Sequence, residues 1–330
     1  MFTIKRQTIT TEWWGGSISW LDNTILDGTN WTLYGLDGSV SRTGFTLSHA
    51  FDRCITSQDG QYVFVYGNLS TKGVLLKLGE FLREINRPYY HAATYEYPAA
   101  FYTSPTGKTY LIHCPIRYDQ LDFEDVESGE IVTNIPGRTP VDIFHSRLEV
   151  SPDNKFLMVR GWVWHPLDVC CLYDIDACLA DPNMLDKGGI STAEGPLEKS
   201  IGAFVNEHEV LLGALESDDD LPLHHIATWD FIAQTVKNPV KVSGEFGNIV
   251  GVQNGIAWDF YKYPKIIDIQ TGVVLDTMED VATGEQVSSI IRYLKYVPPI
   301  VYNRELNLVA MGTSGNQIDV FSITESTNVG

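Results

Sequence analysis

No run in the 330 residues reaches the roughly 20 consecutive apolar positions that a membrane helix needs. The N-terminal stretch MFTIKRQTITTEWW holds a Lys-Arg pair but no apolar core, so it does not read as a secretory signal. A cytoplasmic location is expected. No CxxC pair occurs, and the five cysteines (Cys54, Cys114, Cys170, Cys171 and Cys178) are an odd number. They read as small buried hydrophobes in a reducing compartment, not as a disulfide frame or zinc site.

Positive charge is scarce. Lys and Arg total 23 against 42 Asp and Glu, for a formal net charge of −19. Nucleic-acid binding leans on Lys and Arg patches, so that class is excluded, as is an anionic membrane surface. A basic protein partner remains compatible with such a field. Acidity also serves solubility alone.

Nucleophile and nucleotide motifs are missing as well. Gly312-Thr313-Ser314-Gly315 has its second glycine one place too early for a nucleophile elbow. His208-Glu209 begins like a zinc-protease motif but lacks the second histidine. No P-loop or dinucleotide-binding glycine pattern is present. Glu216-Ser217-Asp218-Asp219-Asp220 with His224 and His225 offers metal-ligand types, but not the spacing or glycine of a calcium loop. It reads as a solvated acidic loop. No catalytic residue, metal or cofactor is assigned.

What the chain does contain is repetition. A tight turn precedes an apolar run again and again: Gly60 before QYVFVYG, Gly107 before KTYLIHC, Asn154 before KFLMVRG, His208 before EVLLGAL, Gly255 before IAWDFY and Glu305 before LNLVAMG. Successive intervals are 47, 47, 54, 47 and 50 residues, and the interval from Asn23 to Gly60 is 37. A period near 47 fits four strands per unit, each unit covering the apolar face of the next. Near-continuous apolar second strands fit sheets packed on both faces.

The expected fold is therefore all-β: a seven-bladed β-propeller with four-stranded antiparallel blades. The whole chain, 1–330, forms one domain, with blades near 11–46, 47–90, 91–140, 141–200, 201–244, 245–284 and 297–324 plus 2–10. The last repeat supplies only three strands. The alternating segment 2–10 is expected to pair with 317–324 and close the ring. Residues 178–200 are expected to form a surface loop with at most one helical turn. In 285–296, Val287, Ile290, Ile291 and Leu294 have helical spacing, so a short helix is expected there.

Third strands carry aromatic or aliphatic residues followed by Asp: Trp229-Asp230, Tyr173-Asp174 and Ile267-Asp268. With the turn Ser151-Pro152-Asp153-Asn154, the chain resembles the WD40 family over essentially its whole length. The family's Gly-His dipeptide is absent: His49, His91 and His145 follow Ser48, Tyr90 and Phe144. The buried Asp–His–Ser–Trp network of that family is therefore not carried over.

The resemblance implies that loops before each blade, and loops between second and third strands, share one face. That places Trp162, Trp164 and His165, then Asp218, Asp219, Asp220, His224 and His225, then Trp258, Tyr261 and Tyr263 on one surface. Tyr89, Tyr90, His91, Tyr95 and Tyr97 come from a loop before a blade. Aromatics beside carboxylates compose an interface for a basic, partly apolar protein. Two functions stay open. One is a protein-interaction module, such as an acidic inhibitor or immunity-type protein masking a basic partner. The other is a propeller hydrolase or lactonase-like enzyme with a metal or carboxylates in the central channel.

Overall fold

A computed structural model describes residues 1–12, 16–42, 46–48, 51–164, 167–192, 199–213 and 224–325. Seven antiparallel sheets follow one another along the chain. The first blade holds β2 (Ile18–Leu21), β3 (Thr24–Asp27), β4 (Thr32–Gly35) and β5 (Val40–Arg42), after the N-terminal strand β1 (Phe2–Thr10). The second holds β6 (Arg53–Thr56), β7 (Tyr62–Tyr66), β8 (Lys72–Lys77) and β9 (Glu80–Asn86). The third has β10 (Ala99–Thr103), β11 (Thr109–His113) and β12 (Asp122–Asp125), and the fourth β13 (Glu149–Val150), β14 (Phe156–Val163) and β15 (Leu167–Asp174). The fifth holds β16 (Ile201–Phe204), β17 (Glu209–Gly213), β18 (His225–Asp230) and β19 (Thr235–Lys241). The sixth holds β20 (Ile249–Gln253), β21 (Ile256–Asp259), β22 (Lys265–Asp268) and β23 (Val274–Thr277). The seventh joins β24 (Ile300–Asn303), β25 (Leu308–Thr313) and β26 (Gln317–Glu325) to the N-terminal β1 (Phe2–Thr10).

Five blades thus have four regular strands. In the third and fourth, the outer strand shrinks to one bridge each, Glu124 to Ile131 and Leu172 to Ile190. The chain after β15 turns into a short helix, α1 (Ile175–Ala180), capped by Asp174, and then a 3-10 helix, Pro182–Lys187. Two helical turns, not one, therefore occupy the start of the long insertion. No helix among the described residues is long and apolar enough to cross a membrane.

The strand pattern explains the layering. Second strands such as YVFVY (62–66) are buried throughout, because neighbouring blades cover both faces. Outer strands such as TVKNPVK (235–241) are largely exposed and polar. Seven buried apolar clusters result, one for each junction between adjacent blades. Adjacent Cys170 and Cys171 point to opposite faces of β15: Cys170 enters the junction with the fifth blade and Cys171 the junction with the third. All five cysteines are free and buried.

Ring closure follows the expected register, from Thr10 opposite Gln317 to Phe2 opposite Glu325. Within β1, Ile4 and Ile9 differ by an odd number of positions, so their side chains leave on opposite faces. Ile4 fills the junction between the sixth and seventh blades, and Ile9 the junction between the seventh and first. One strand seals both sides of the last blade.

No helix forms over 285–296. The segment is an irregular strap containing a single bridge, from Ile290 to Tyr95. Its amides are spent on tertiary partners: Ile291 and Arg292 both donate to Thr94 O, at 3.1 and 3.2 Å. Those bonds replace the i to i−4 bonds a helix would need.

Candidate functional site

An antiparallel blade puts the loop before its first strand and the loop between its second and third strands at the same end. At this end an eighth apolar cluster lies outside the seven junctions, built on Tyr95, Phe144 and Trp162, with Tyr118 and Ile290 packed against it. Phe144 and Trp162 exchange both backbone bonds, at 2.9 and 3.2 Å, and their rings stack at 3.9 Å with 4° between planes. Gly161 makes the close approach possible, because a Cβ there would stand 2.3 Å from Phe144 O. Tyr118 stacks on the other side of Phe144 at 4.5 Å. Tyr90 extends the group through Tyr118 at 4.8 Å, and His91 meets Trp164 at 5.2 Å. Tyr118 donates to Asp142 at 2.8 Å; burial and that carboxylate push its phenol pKa well up.

The loop carrying Tyr89 to Tyr97 is folded round Arg87, which is 4% exposed. Its guanidinium donates to the carbonyls of Asn68, Ser70, Ala92 and Tyr95 and lies over the rings of Tyr95 and Tyr97 at 4.8 and 4.7 Å. Burial lowers the pKa of this arginine, and the nearby tyrosines oppose that shift.

The strap meets this loop across the channel mouth. Glu96 N donates to Ser289 O at 3.0 Å, and Gln286 Nε2 donates to Glu96 Oε2 at 2.7 Å. Beneath lies a cavity of about 220 Å³ at the centre of the ring. Arg53, Arg147, Arg160 and Glu96 are the charged side chains that line it. Arg147 donates to Asn248 Oδ1 at 2.8 Å and stands 3.6 Å from Glu96. Asn248 is itself fixed by Asp259, whose Oδ1 accepts the Gly247 and Asn248 amides and whose Oδ2 pairs with buried Lys265 at 3.0 Å. Burial first, and the neighbouring Arg160 second, push the Arg147 pKa down to about 10.

The residues expected on this face divide. Tyr90, His91, Tyr95, Trp162 and Trp164 do come together. Tyr89 is 87% exposed at their edge, and Tyr90 and Trp164 are half-exposed. Trp162 and Tyr95 are buried instead of presented, because β14 runs on to Val163 and the Ile290 bridge covers Tyr95. Tyr97 packs into the second-to-third junction against Phe64 and Tyr66. Trp258 is not a loop residue: β21 continues to Asp259, and the ring is fully buried in the sixth-to-seventh junction. Tyr261 and Tyr263 lie half-buried in the turn after β21, with Lys262 and Lys265 over the Tyr261 ring at 5.3 and 5.8 Å. His224 precedes β18, and His225 opens it opposite Lys241. His165, Asp218, Asp219 and Asp220 lie outside the described residues.

The comparisons define a class of fold. No family model matches the chain, and no curated protein matches it. Among solved structures it is similar to selenomethionine-substituted virginiamycin B lyase from Staphylococcus aureus, at 10% identity and a TM-score of 0.52, covering 97% of this chain and 99% of that one. A catalytically inactive variant of that lyase with quinupristin gives 11% and 0.55 over 97% and 99% of the two chains. A streptogramin B lyase structure gives 11% and 0.52 over 97% and 98%. The chain is a seven-bladed β-propeller; identities this low show the fold alone.

Proposed function

We propose that this propeller is a protein-interaction module that receives a basic, partly apolar protein on the face bearing the strap. One observation carries the reading. Among the described residues, every Tyr and Trp that is exposed (Tyr89, Tyr90, Trp164, Tyr293 and Tyr296) belongs to a loop of that face. Tyr and Trp are the residues that anchor interfaces, supplying large contact area at low entropic cost. The net charge of −19 favours a cationic partner. An inhibitor or immunity-type role, masking such a partner, is the form of this reading that the acidity supports.

The competing reading, a hydrolase with metal or carboxylates in the channel, has less support. Glu96 is held by Gln286 and Asn68, and Glu149 by Arg160 at 3.2 Å. Among the described residues, no three His, Cys, Asp or Glu side chains group closely enough to hold a metal.

The test is a co-purification from native lysate at low and high salt, comparing wild type with Tyr89→Ala/Trp164→Ala and with Asp218, Asp219 and Asp220 changed to Ala. A stoichiometric basic protein, released by salt and lost from the aromatic variant, supports the reading. Recovery of wild type alone under every condition overturns it.

A further inference from the structure

The placement of arginine inside this acidic molecule runs against its overall charge. Three of its 23 basic residues, Arg53, Arg147 and Arg160, line one cavity at the centre of the ring, where Glu96 is the single acidic lining residue among the described residues. Arg147 and Arg160 are held together, since Arg160 Nε donates to Arg147 O at 3.1 Å. Buried like charges at close range are costly unless something compensates them. Arg160 has its own partners, Glu149 at 3.2 Å and Gly202 O at 2.8 Å. Arg147 is short of them: Nη2 donates to Asn248, but Nη1 is buried with no hydrogen-bond partner among the described residues, and Glu96 at 3.6 Å is beyond hydrogen-bond length from Nε. Its side chain is only 10% exposed. The backbone at Arg147 is left-handed, with φ of 45°, a conformation non-glycine residues rarely hold and one that clusters at ligand sites.

Below the arginines the channel changes character. It continues as a space of about 420 Å³ with a mixed wall, in which Trp20, Ile55, Phe101, Val150, Val250 and Val301 stand beside Ser19 and Thr56. Ile55, Leu148, Val250 and Val301 line both parts, so the two are continuous. The one charged residue in the lower wall among the described residues, Glu149, is already paired with Arg160.

We propose that the channel binds a small organic monocarboxylate, its carboxylate against Arg147 and its apolar tail in the lower channel. Glu149 pairs closely with Arg160, whereas Asp52 at 4.0 Å from Arg53 and Glu96 at 3.6 Å from Arg147 stand beyond hydrogen-bond length, so the open donor is Arg147 Nη1, which suits one carboxylate. A planar guanidinium matches a carboxylate through paired N–H···O bonds. A phosphate dianion would bring two charges and more acceptors than the one open donor of Arg147 satisfies, beside Glu96. This site lies inside the ring and stands independently of protein docking on the outer face.

Isothermal titration of the full chain with hexanoate, hexanol and inorganic phosphate tests it. Hexanoate is expected to bind with one-to-one stoichiometry, at least about tenfold more tightly than hexanol or phosphate, since a charge-assisted hydrogen bond contributes about 1.5–3 kcal/mol. Arg147→Gln should weaken hexanoate about tenfold or more, and Val150→Phe, in the lower wall alone, should weaken hexanoate while leaving acetate unchanged. Equal affinity for hexanoate and hexanol, tighter binding of phosphate, or wild-type binding by folded Arg147→Gln each overturns the assignment. If either variant fails to fold, the three-probe comparison on wild type decides alone.

Discussion

Gln286 donates to Glu96 at 2.7 Å although 190 positions separate them in the chain. The bond crosses from the loop before the seventh blade to the loop before the third, so it ties opposite sides of the ring over the channel. Glu96 also accepts a hydrogen bond from Asn68 Nδ2 and stands 3.6 Å from Arg147, which puts it at the centre of the mouth. Gln286→Ala should lower stability by about 1 kcal/mol, the net value of one such bond. Amide exchange should quicken at Glu96 and Ile291, whose N–H groups bond across the same junction. Unchanged exchange at both amides would show that the strap is held by its apolar contacts alone.

Closure by β1 carries a larger consequence. Ile4 and Ile9 are each about nineteen-twentieths buried, in two different junctions. Ile4→Ala and Ile9→Ala should each cost about 2–5 kcal/mol, and roughly additively, because the sites share no partners. Removing residues 1–10 should in addition expose the edge of β26 and promote aggregation. Thermal melts of the three variants check this, and a truncated chain melting like the full one would sink the closure argument.

The sequence spoke clearly where the physics is periodic. Tight turns near every forty-seventh residue and buried runs such as YVFVY follow from one blade covering the next, so both the number of blades and their order are legible. Residues at strand ends were not. Trp258 was placed in a loop because nothing in IAWDFY marks where β21 stops, and two more residues of strand buried it. Val287, Ile290, Ile291 and Leu294 have helical spacing, yet Ile290 and Ile291 are bound to the loop at Thr94 and Tyr95. Spacing alone cannot separate a helix from a strap whose apolar side chains meet different neighbours. The arginine cavity was invisible for a related reason. Arg147 and Arg160 belong to the fourth blade and Arg53 to the second, and only the ring brings Arg53 to the other two. Phe144 and Tyr118 left no signal stronger than being aromatic.

The aromatic cluster should separate into support and surface. Phe144 is fully buried between Trp162 and Tyr118, so Phe144→Ala should cost about 3–5 kcal/mol. Tyr89 is almost fully exposed, so Tyr89→Ala should change stability by less than about 0.5 kcal/mol. Chemical denaturation of the two variants measures both. A severe loss at Tyr89 would mean that it braces the loop and is not free to meet a partner.

Acid should weaken the fold before its carboxylates titrate. His145 is 1% exposed, and its Nε2 contacts Asp119 O at 3.1 Å. Burial holds its pKa down at about 4, against 6.5 for the free side chain. The unfolded chain therefore binds a proton at a higher pH than the folded one. Stability from this group is fully present above pH 6.5 and is lost as pH falls through 6.5 towards 4. A shift of that size corresponds to about 3 kcal/mol across the window. Glu124 and Asp125, whose pKa values are lowered, lose their contribution as pH falls from the ordinary carboxylate range towards their lower folded values, so they act at lower pH than His145. Asp27 and Asp122, raised by burial, act with the opposite sign, favouring the fold as pH falls. Urea unfolding at pH 7 and pH 5 should show the loss in wild type. His145→Gln, which cannot titrate, should flatten most of the difference between those two pH values; an equally steep dependence in that variant would assign the effect to another group.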